Sequence, residues 1–120
     1  ALSDAHGLDR VFLVAPSSSD ARVANNSKSS KGFVYSVSTM GITGERAELD
    51  RLARSVVSRV KTLGETTTCV GVGISTADQV REVNSYADGA IVGTAFVKAY
   101  QQGGLPGLVA KTKELAGGLG

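Results

Sequence analysis

The sequence predicts an α/β fold in which short parallel strands alternate with helices. Four short apolar runs are separated by segments with helical spacing, and residues that favour turns or helix starts follow the runs. Most of the 15 glycines lie at the ends of those apolar runs. This alternation favours parallel strands joined by right-handed crossovers. It fits either a small open doubly wound sheet or four consecutive units of an eight-unit barrel.

The first unit is a strand predicted for residues 10–16 and a helix predicted for residues 21–29. The strand is a continuous apolar run stopped by a proline, a pattern typical of a strand buried on both faces. Residues 17–20 offer helix N-caps, and Asp20 is interpreted as one of them. The helix is expected to be loose, because Asn25, Asn26 and Ser27 are weak helix formers.

The second unit contains the clearest helix of the chain. A strand is predicted for residues 32–38, and a loop with two glycines follows at residues 39–44. Apolar residues then recur at helical spacing on one stripe, which predicts an amphipathic helix ending near Gly64. The stripe consists of Leu49, Leu52, Ala53, Val56, Val57, Val60 and Leu63.

The third unit combines a strand predicted for residues 68–73 with a helix that starts near Ser75. Thr76 and Gln79 match a capping box, in which each side chain bonds the other residue's backbone N–H. Val80 and Val83 supply the apolar stripe of this helix.

The fourth unit is a strand predicted for residues 89–93 and a helix capped by Thr94. The two glycines at 103–104 are expected to break this helix. A last helix then begins near Pro106, since the first helical turn tolerates proline. Its apolar stripe comprises Leu105, Leu108, Val109, Thr112 and Leu115.

Composition and charge exclude several classes of protein. The net charge is only +2, the basic residues are scattered and tryptophan is absent, so a nucleic-acid binder is not expected. No apolar run approaches the ~20 residues of a membrane helix, and the start lacks signal-peptide character. Cys69 and His6, the only residues of their types, cannot make a disulfide or a zinc site together. The sequence predicts a soluble, cytosolic protein without a metal, and a buried, inert Cys69.

Glycines at the predicted strand ends indicate an anion site. The second strand leads to Gly41 to Gly44, the third ends in Gly71 to Ser75, and the fourth ends in Gly93-Thr94, which opens a helix. Strand ends of this kind form the ligand site of parallel α/β folds. Glycine lets a ligand approach the backbone closely, and helix N-termini offer unpaired N–H groups with partial positive charge. We therefore predict phosphate binding, although each glycine alone is equally consistent with a tight turn.

Four segments resemble the alpha subunit of tryptophan synthase in order and spacing. They are Val11 to Pro16, Gly32 to Tyr35 with Gly41-Ile42-Thr43-Gly44, Gly71 to Ser75, and Asp88 to Ala95. The resemblance covers essentially the whole chain. It implies that the chain corresponds to the second half of that subunit, the (βα)4 C-terminal half of a TIM barrel. It also implies cofactor-free aldol cleavage of indole-3-glycerol phosphate to indole and glyceraldehyde 3-phosphate, with a pyridoxal-phosphate beta subunit as partner.

The resemblance also implies roles for individual residues. Backbone N–H groups of four residues, the phosphate-binding set, are implied to hold the substrate phosphate. Tyr35 is implied to line the pocket near the indole and glycerol portion, and residues 39–54 to form a mobile lid. Thr43 in that lid matches a threonine that contacts the catalytic aspartate on closure. The phosphate-binding set is Gly44, Gly73, Gly93 and Thr94.

The family's general acid and base are a glutamate and an aspartate from the first half of the barrel, which this sequence does not contain. None of the local carboxylates is expected to replace them; these are Asp20, Glu45, Glu48 and Asp88. Since acid–base catalysis needs a positioned proton donor, we expect no lyase turnover from the isolated 120 residues. The alternative is a non-catalytic half-barrel that binds phosphate or assembles with a partner segment or a second copy, because open sheet edges invite pairing.

Overall fold

The computed structural model of the chain describes residues 2–37, 46–63, 66–71 and 73–119, with the backbone alone at 46–49. Strands and helices alternate as predicted, preceded by one short helix that the sequence did not predict. The elements are α1 (Leu2–Ala5), β1 (Leu13–Val14), α2 (Asp20–Ser29), β2 (Val34–Val37), α3 (Arg46–Leu63), β3 (Thr68–Gly71), α4 (Ala77–Asn84), β4 (Gly89–Ala90) and α5 (Thr94–Ala116), with a 3₁₀ turn at Gly117–Leu119.

The four strands form one parallel sheet in the order β1-β2-β3-β4. Leu13, Tyr35, Cys69 and Gly89 lie side by side across it. Because crossovers between parallel strands are right-handed, strands in sequence order carry their connecting helices on one face. A doubly wound sheet instead reverses its strand order and has helices on both faces. The strand order therefore agrees with four consecutive units of a barrel and not with a doubly wound sheet.

The two faces of the sheet are buried to very different extents. Val14, Val34 and Val70 point towards the helices and are at most 1% exposed. On the opposite face Leu13 is 59% exposed, because no described element covers that side. The prediction that the first strand is buried on both faces is therefore wrong for this chain. Burial of that strand depends on what packs against the open face, which the sequence of the strand does not encode.

Helix α3 joins the two clusters of the hydrophobic core. Val56 and Val60 pack in the cluster that contains β1, α2 and β2, whereas Ala53 and Val57 pack in the cluster that contains β3, α4 and α5. These four residues belong to the predicted stripe, which confirms the amphipathic helix. Burying a Val side chain contributes about 1.5–3 kcal/mol, so α3 is the element that ties both halves of the sheet together.

Helix α2 is well formed despite its weak helix formers. Ser19, rather than Asp20, is the N-cap, and its side chain accepts a hydrogen bond from the Arg22 N–H. Within the helix, the Asn26 amide donates to the Leu13 carbonyl at 3.0 Å. The interpretation of Asp20 as the cap is wrong because Asp20 is the first helical residue, where its carboxylate accepts hydrogen bonds from Arg59.

The ends of α4 and α5 contrast with each other. The capping box of Thr76 and Gln79 is present at α4, as predicted. At α5 the N-cap is Gly93, with no side-chain hydrogen bond, so the prediction that Thr94 caps this helix is wrong by one residue. The expected break falls at Gly104, whose φ of 60° kinks the helix. Such a positive φ is readily adopted by glycine.

Asp88 links the starting ends of β3 and β4. Its carboxylate accepts a hydrogen bond from the Thr68 N–H at 2.9 Å and pairs with the Lys61 ammonium. The hydrogen bond from Lys61, and then the one from Thr68, hold the pKa of Asp88 below its usual value. These contacts place the carboxylate at the end of the sheet opposite the glycine-rich strand ends.

We expect Asp88→Asn to lower the free energy of unfolding more at pH 7 than at pH 3. A carboxyl whose pKa is lower in the folded state stabilises the fold above its unfolded pKa of about 4. That contribution is lost as the pH falls through the folded-state value. Urea unfolding at the two pH values measures both differences. An equal deficit at pH 7 and pH 3 would contradict a role for the charge.

Candidate anion site at the strand ends

A cavity of about 430 Å³ lies at the carboxyl ends of β2, β3 and β4. Three residues predicted for the substrate site, Tyr35, Gly73 and Thr94, meet in its wall. Gly93 stands next to it as the N-cap of α5. The lining residues are Tyr35, Val37, Gly71, Gly73, Ile74, Ser75, Ile91, Thr94, Ala95 and Lys98. The strand-end rule thus brings together residues that are up to 63 positions apart, from Tyr35 to Lys98.

Tyr35 lies across the end of β3 because Gly71 leaves room for its ring. A Cβ atom on Gly71 would lie 2.8 Å from Cε1 and 2.9 Å from Cζ of Tyr35. Any larger residue at position 71 would therefore displace the ring from the cavity wall. This glycine serves a close side-chain approach, a reason that the sequence pattern alone did not distinguish from a tight turn.

The N-terminus of α4 is closed by its own side chains. The Gln79 Oε1 atom accepts hydrogen bonds from the Ser75 N–H at 2.7 Å and the Thr76 N–H at 3.2 Å. The Thr76 hydroxyl accepts from the Gln79 N–H at 3.2 Å. These three N–H groups are therefore not available to an incoming anion without rearrangement of the cap. The N–H groups of Ala77 and Asp78 belong to residues that do not line the cavity.

The N-terminus of α5 is open. Its N-cap, Gly93, has no side chain, and the Gly93 carbonyl accepts from the Phe96 and Val97 N–H groups at 3.0 and 3.2 Å. The N–H groups of Thr94 and Ala95 precede that of Phe96, the first to donate a hydrogen bond within the helix, so they are available to a ligand. Both residues line the cavity. Helix N-termini of this kind bind phosphate and sulfate through N–H donors and the helix dipole.

Gly73 and Lys98 complete the polar wall. Gly73 has φ 73°, a conformation that L-residues other than glycine rarely adopt, and it turns the backbone at the end of β3 along the cavity. Lys98 lies one helical turn after Thr94, on the same side of α5. Sequence analysis missed Lys98, although its spacing of four residues from Thr94 was a readable signal.

Several predicted residues do not reach the cavity or cannot be placed. Thr43, Gly44 and Glu45 lie outside the described residues, as does the whole interval 38–45. Residues 46–54, which the lid prediction included, belong to helix α3. Asp20 is occupied by Arg59, and Asp88 stands at the opposite end of the sheet. Within the described ranges there is also no group of three His, Cys, Asp or Glu side chains able to hold a metal ion.

Cys69 lies on the open face of β3 and is half-buried rather than fully buried as expected. Burial raises the pKa of its thiol, and the nearby Asp88 carboxylate adds to the effect. A thiol with a raised pKa is a poor nucleophile at neutral pH. The position and the pKa are both consistent with the predicted inert role.

A second cavity, of about 510 Å³, lies between α4, β4 and the end of α5. Its wall is mainly apolar, with Val80, Phe96 and Leu115 among the lining residues. Asp88 is the carboxylate on its rim, which disfavours an anion there. The strand-end cavity is therefore the better candidate for a charged ligand.

A half-barrel of parallel βα units with an open helix N-terminus at its strand ends defines the class: a segment of a TIM-barrel protein, with a strand-end cavity that is a candidate anion site. The comparison with known families is more specific. Residues 1–116 match the family described as tryptophan synthase alpha chain, and this chain belongs to that family.

Individual relatives agree with the family assignment. The chain is 53% identical over 118 residues to the tryptophan synthase alpha chain of Leifsonia xyli, covering 98% of this chain and 45% of the relative. It is 50% identical over 119 residues to that of Mycobacterium ulcerans, covering 99% and 44%. The chain thus spans a little less than half the length of the curated relatives it matches.

Solved structures show the same fold. A tryptophan synthase structure from Mycobacterium tuberculosis, described as aminoacrylate-bound, superposes with a TM-score of 0.84 at 42% identity, covering 98% of this chain and 43% of that chain. A tryptophan synthase α2β2 complex from Pyrococcus furiosus superposes with a TM-score of 0.78 at 30% identity, covering 97% and 47%. Within the described ranges, no helix has the length and apolarity needed to span a bilayer.

Proposed function

We propose that this chain forms the last four βα units of an alpha chain and holds the phosphate of indole-3-glycerol phosphate. The reaction is aldol cleavage to indole and glyceraldehyde 3-phosphate. One observation carries the proposal: the open N-terminus of α5 faces a strand-end cavity, whereas the neighbouring α4 is closed by Thr76 and Gln79. An unblocked helix N-terminus is suited to a dianionic group.

The phosphate would be held largely by backbone groups. The N–H groups of Thr94 and Ala95 point along the axis of α5, and the Thr94 hydroxyl supplies a further donor. The turn at Gly73 brings a second stretch of backbone to the same cavity. Gly44, outside the described residues, is proposed to complete the set, with Thr43 supporting closure of a lid at 39–45. Tyr35 would line the path towards the glycerol and indole portion.

The acid–base chemistry would come from outside this segment. The described carboxylates nearest to the strand ends in sequence are engaged elsewhere: Asp20 pairs with Arg59, and Asp88 bonds Thr68 at the other end of the sheet. General acid and base groups must lie within hydrogen-bond reach of the reacting atoms. We therefore propose that these 120 residues alone bind phosphate but do not turn over substrate.

The partner and the location follow from the family. We propose that the complete alpha chain works with a tryptophan synthase beta subunit, needs no cofactor of its own and acts in the cytoplasm. The Pyrococcus furiosus structure, whose description names an α2β2 complex, supports this pairing.

Complementation tests the proposed function. This segment replaces the matching part of the Leifsonia xyli alpha chain, and indole release from indole-3-glycerol phosphate is followed for the chimera and for the 120 residues alone. We expect turnover by the chimera and none by the segment. Turnover by the segment alone would contradict the division of roles. A folded chimera that releases no indole would contradict the function itself.

Self-association is the second candidate. Leu13 on the open face of the sheet is 59% exposed, and β1 and β4 are edge strands within the described chain. Exposed edges and apolar faces are usually paired or covered. A dimer of two half-barrels would place Leu13 out of solvent, and light scattering of the 120 residues would distinguish it from a monomer.

A further inference from the structure

Lys98 occupies a distinctive place in the strand-end cavity. It is the cationic side chain in the cavity wall, one turn into α5, where residues four apart share a helix face with Thr94. A smaller cleft, of about 240 Å³, lies beside the strand-end cavity and shares the lining residues Lys98, Ser75 and Ala95 with it. It is distinct from the 510 Å³ cavity between α4, β4 and the end of α5. Lys98 is an exposed residue that borders both recesses.

The ammonium group of Lys98 is free to serve a ligand. Among the residues that the structure describes, it has no carboxylate partner, whereas the nearby Lys111, which lines the smaller cleft, pairs with Glu114 at 3.0 Å. Arg59, Lys61 and Arg81 are likewise held by carboxylates. Among the cationic side chains that touch the two recesses, Lys98 is the one without an internal ion pair.

The charge of the expected ligand exceeds what the helix end alone supplies. A phosphate monoester carries about −1.5 to −2 charges at neutral pH. A helix N-terminus offers the equivalent of roughly +0.5 charge, and α4 is closed by its own cap. Neither Gly73 nor Thr94 carries a charge. A cation close to the helix N-terminus would offset more of the dianion's charge, and Lys98 is the candidate in the wall.

We propose that Lys98 is an affinity- and charge-determining residue of the phosphate site, reaching from one turn into α5 back to the phosphate held at the helix N-terminus. This inference rests on the proposed phosphate-binding function and adds a side-chain cation to a site otherwise built from backbone groups. Its flexible stem and point charge suit a ligand that enters and leaves in each cycle.

The test uses the chimera with the Leifsonia xyli alpha chain and sn-glycerol 3-phosphate as a competitive inhibitor. We expect Lys98→Met to raise the inhibition constant roughly tenfold, about 1.4 kcal/mol of binding free energy. It should also flatten the dependence of that constant on salt, because one charge contact is lost. Lys98→Arg should keep most of the affinity. Lys113→Met removes the same charge from the same helix, outside the cavity, and is the matched control.

The outcomes separate this inference from the proposed function. If Lys98→Met and Lys113→Met change the inhibition constant and its salt dependence equally, the role of Lys98 is wrong while phosphate binding stands. If the unsubstituted chimera is not inhibited by glycerol 3-phosphate, the phosphate site is wrong and the role of Lys98 with it. Circular dichroism melts of each variant verify that the comparison is made between folded chains.

Discussion

Replacement of Gly118 by alanine is expected to lower the free energy of unfolding by about 2–3 kcal/mol, as overpacking in a buried site does. Gly118 is the buried residue of the 3₁₀ turn, which packs on α4. A Cβ atom there would overlap the Ala77 carbonyl oxygen and lie 2.8 Å from the Val80 Cβ. Because the first obstacle is helix backbone, the turn must move away from α4. Urea unfolding followed by circular dichroism measures the loss.

Gly117→Ala is the control for that substitution. Gly117 has helical φ and ψ of −60° and −20°, and nothing lies within 4 Å of the position that its Cβ would take. Alanine there should leave the free energy of unfolding unchanged or raise it by up to ~1 kcal/mol, because alanine lowers the conformational entropy of the unfolded chain. Equal stabilities of the two variants would show that the turn does not pack on α4 in the manner described.

Thr94→Asp is expected to weaken the binding of glycerol 3-phosphate about a hundredfold without unfolding the chain. A carboxylate at the first residue of α5 would face the phosphate, and like charges in contact cost several kcal/mol. The same carboxylate near a helix N-terminus stabilises the helix by roughly 0.3–1 kcal/mol. Binding and stability should therefore change in opposite directions, which calorimetric titration and thermal unfolding in the chimera would record.

Thr94→Ser is the matched control, since it keeps the hydroxyl and the backbone N–H of this position. Its affinity should stay within about threefold of the unsubstituted chain, well under the ~1.4 kcal/mol of a tenfold change. If Thr94→Asp bound glycerol 3-phosphate as tightly as Thr94→Ser does, the phosphate would not lie at the N-terminus of α5.

Much of the architecture was readable from local patterns. The stripe of α3 and the capping box of Thr76 and Gln79 depend on neighbours three or four residues away, so the sequence carries them directly. The glycine break near Gly104 is local in the same sense. These features were predicted correctly because few long-range contacts enter into them.

The features that were missed depend on distant contacts or on single-residue shifts. The exposure of Leu13 is decided by what covers the open face of the sheet, and the ordering of α2 by the Asn26 contact to β1. Gly93 and Thr94 are both suitable N-cap residues, so the sequence pattern did not decide which of the two caps α5. Lys98 enters the site because it lies one helical turn after Thr94, a spacing that the sequence carries but that no motif drew attention to.

The location of the phosphate can be measured directly on backbone amides. In a ¹⁵N-resolved NMR titration of the folded chain with sn-glycerol 3-phosphate, we expect saturable shifts at the amides of Gly73, Thr94 and Ala95. The amides of Thr76 and Gln79, already bonded within the capping box of α4, should move little. Shifts centred on Thr76 and Gln79, with Thr94 and Ala95 unchanged at saturation, would contradict the assignment of the anion site to α5.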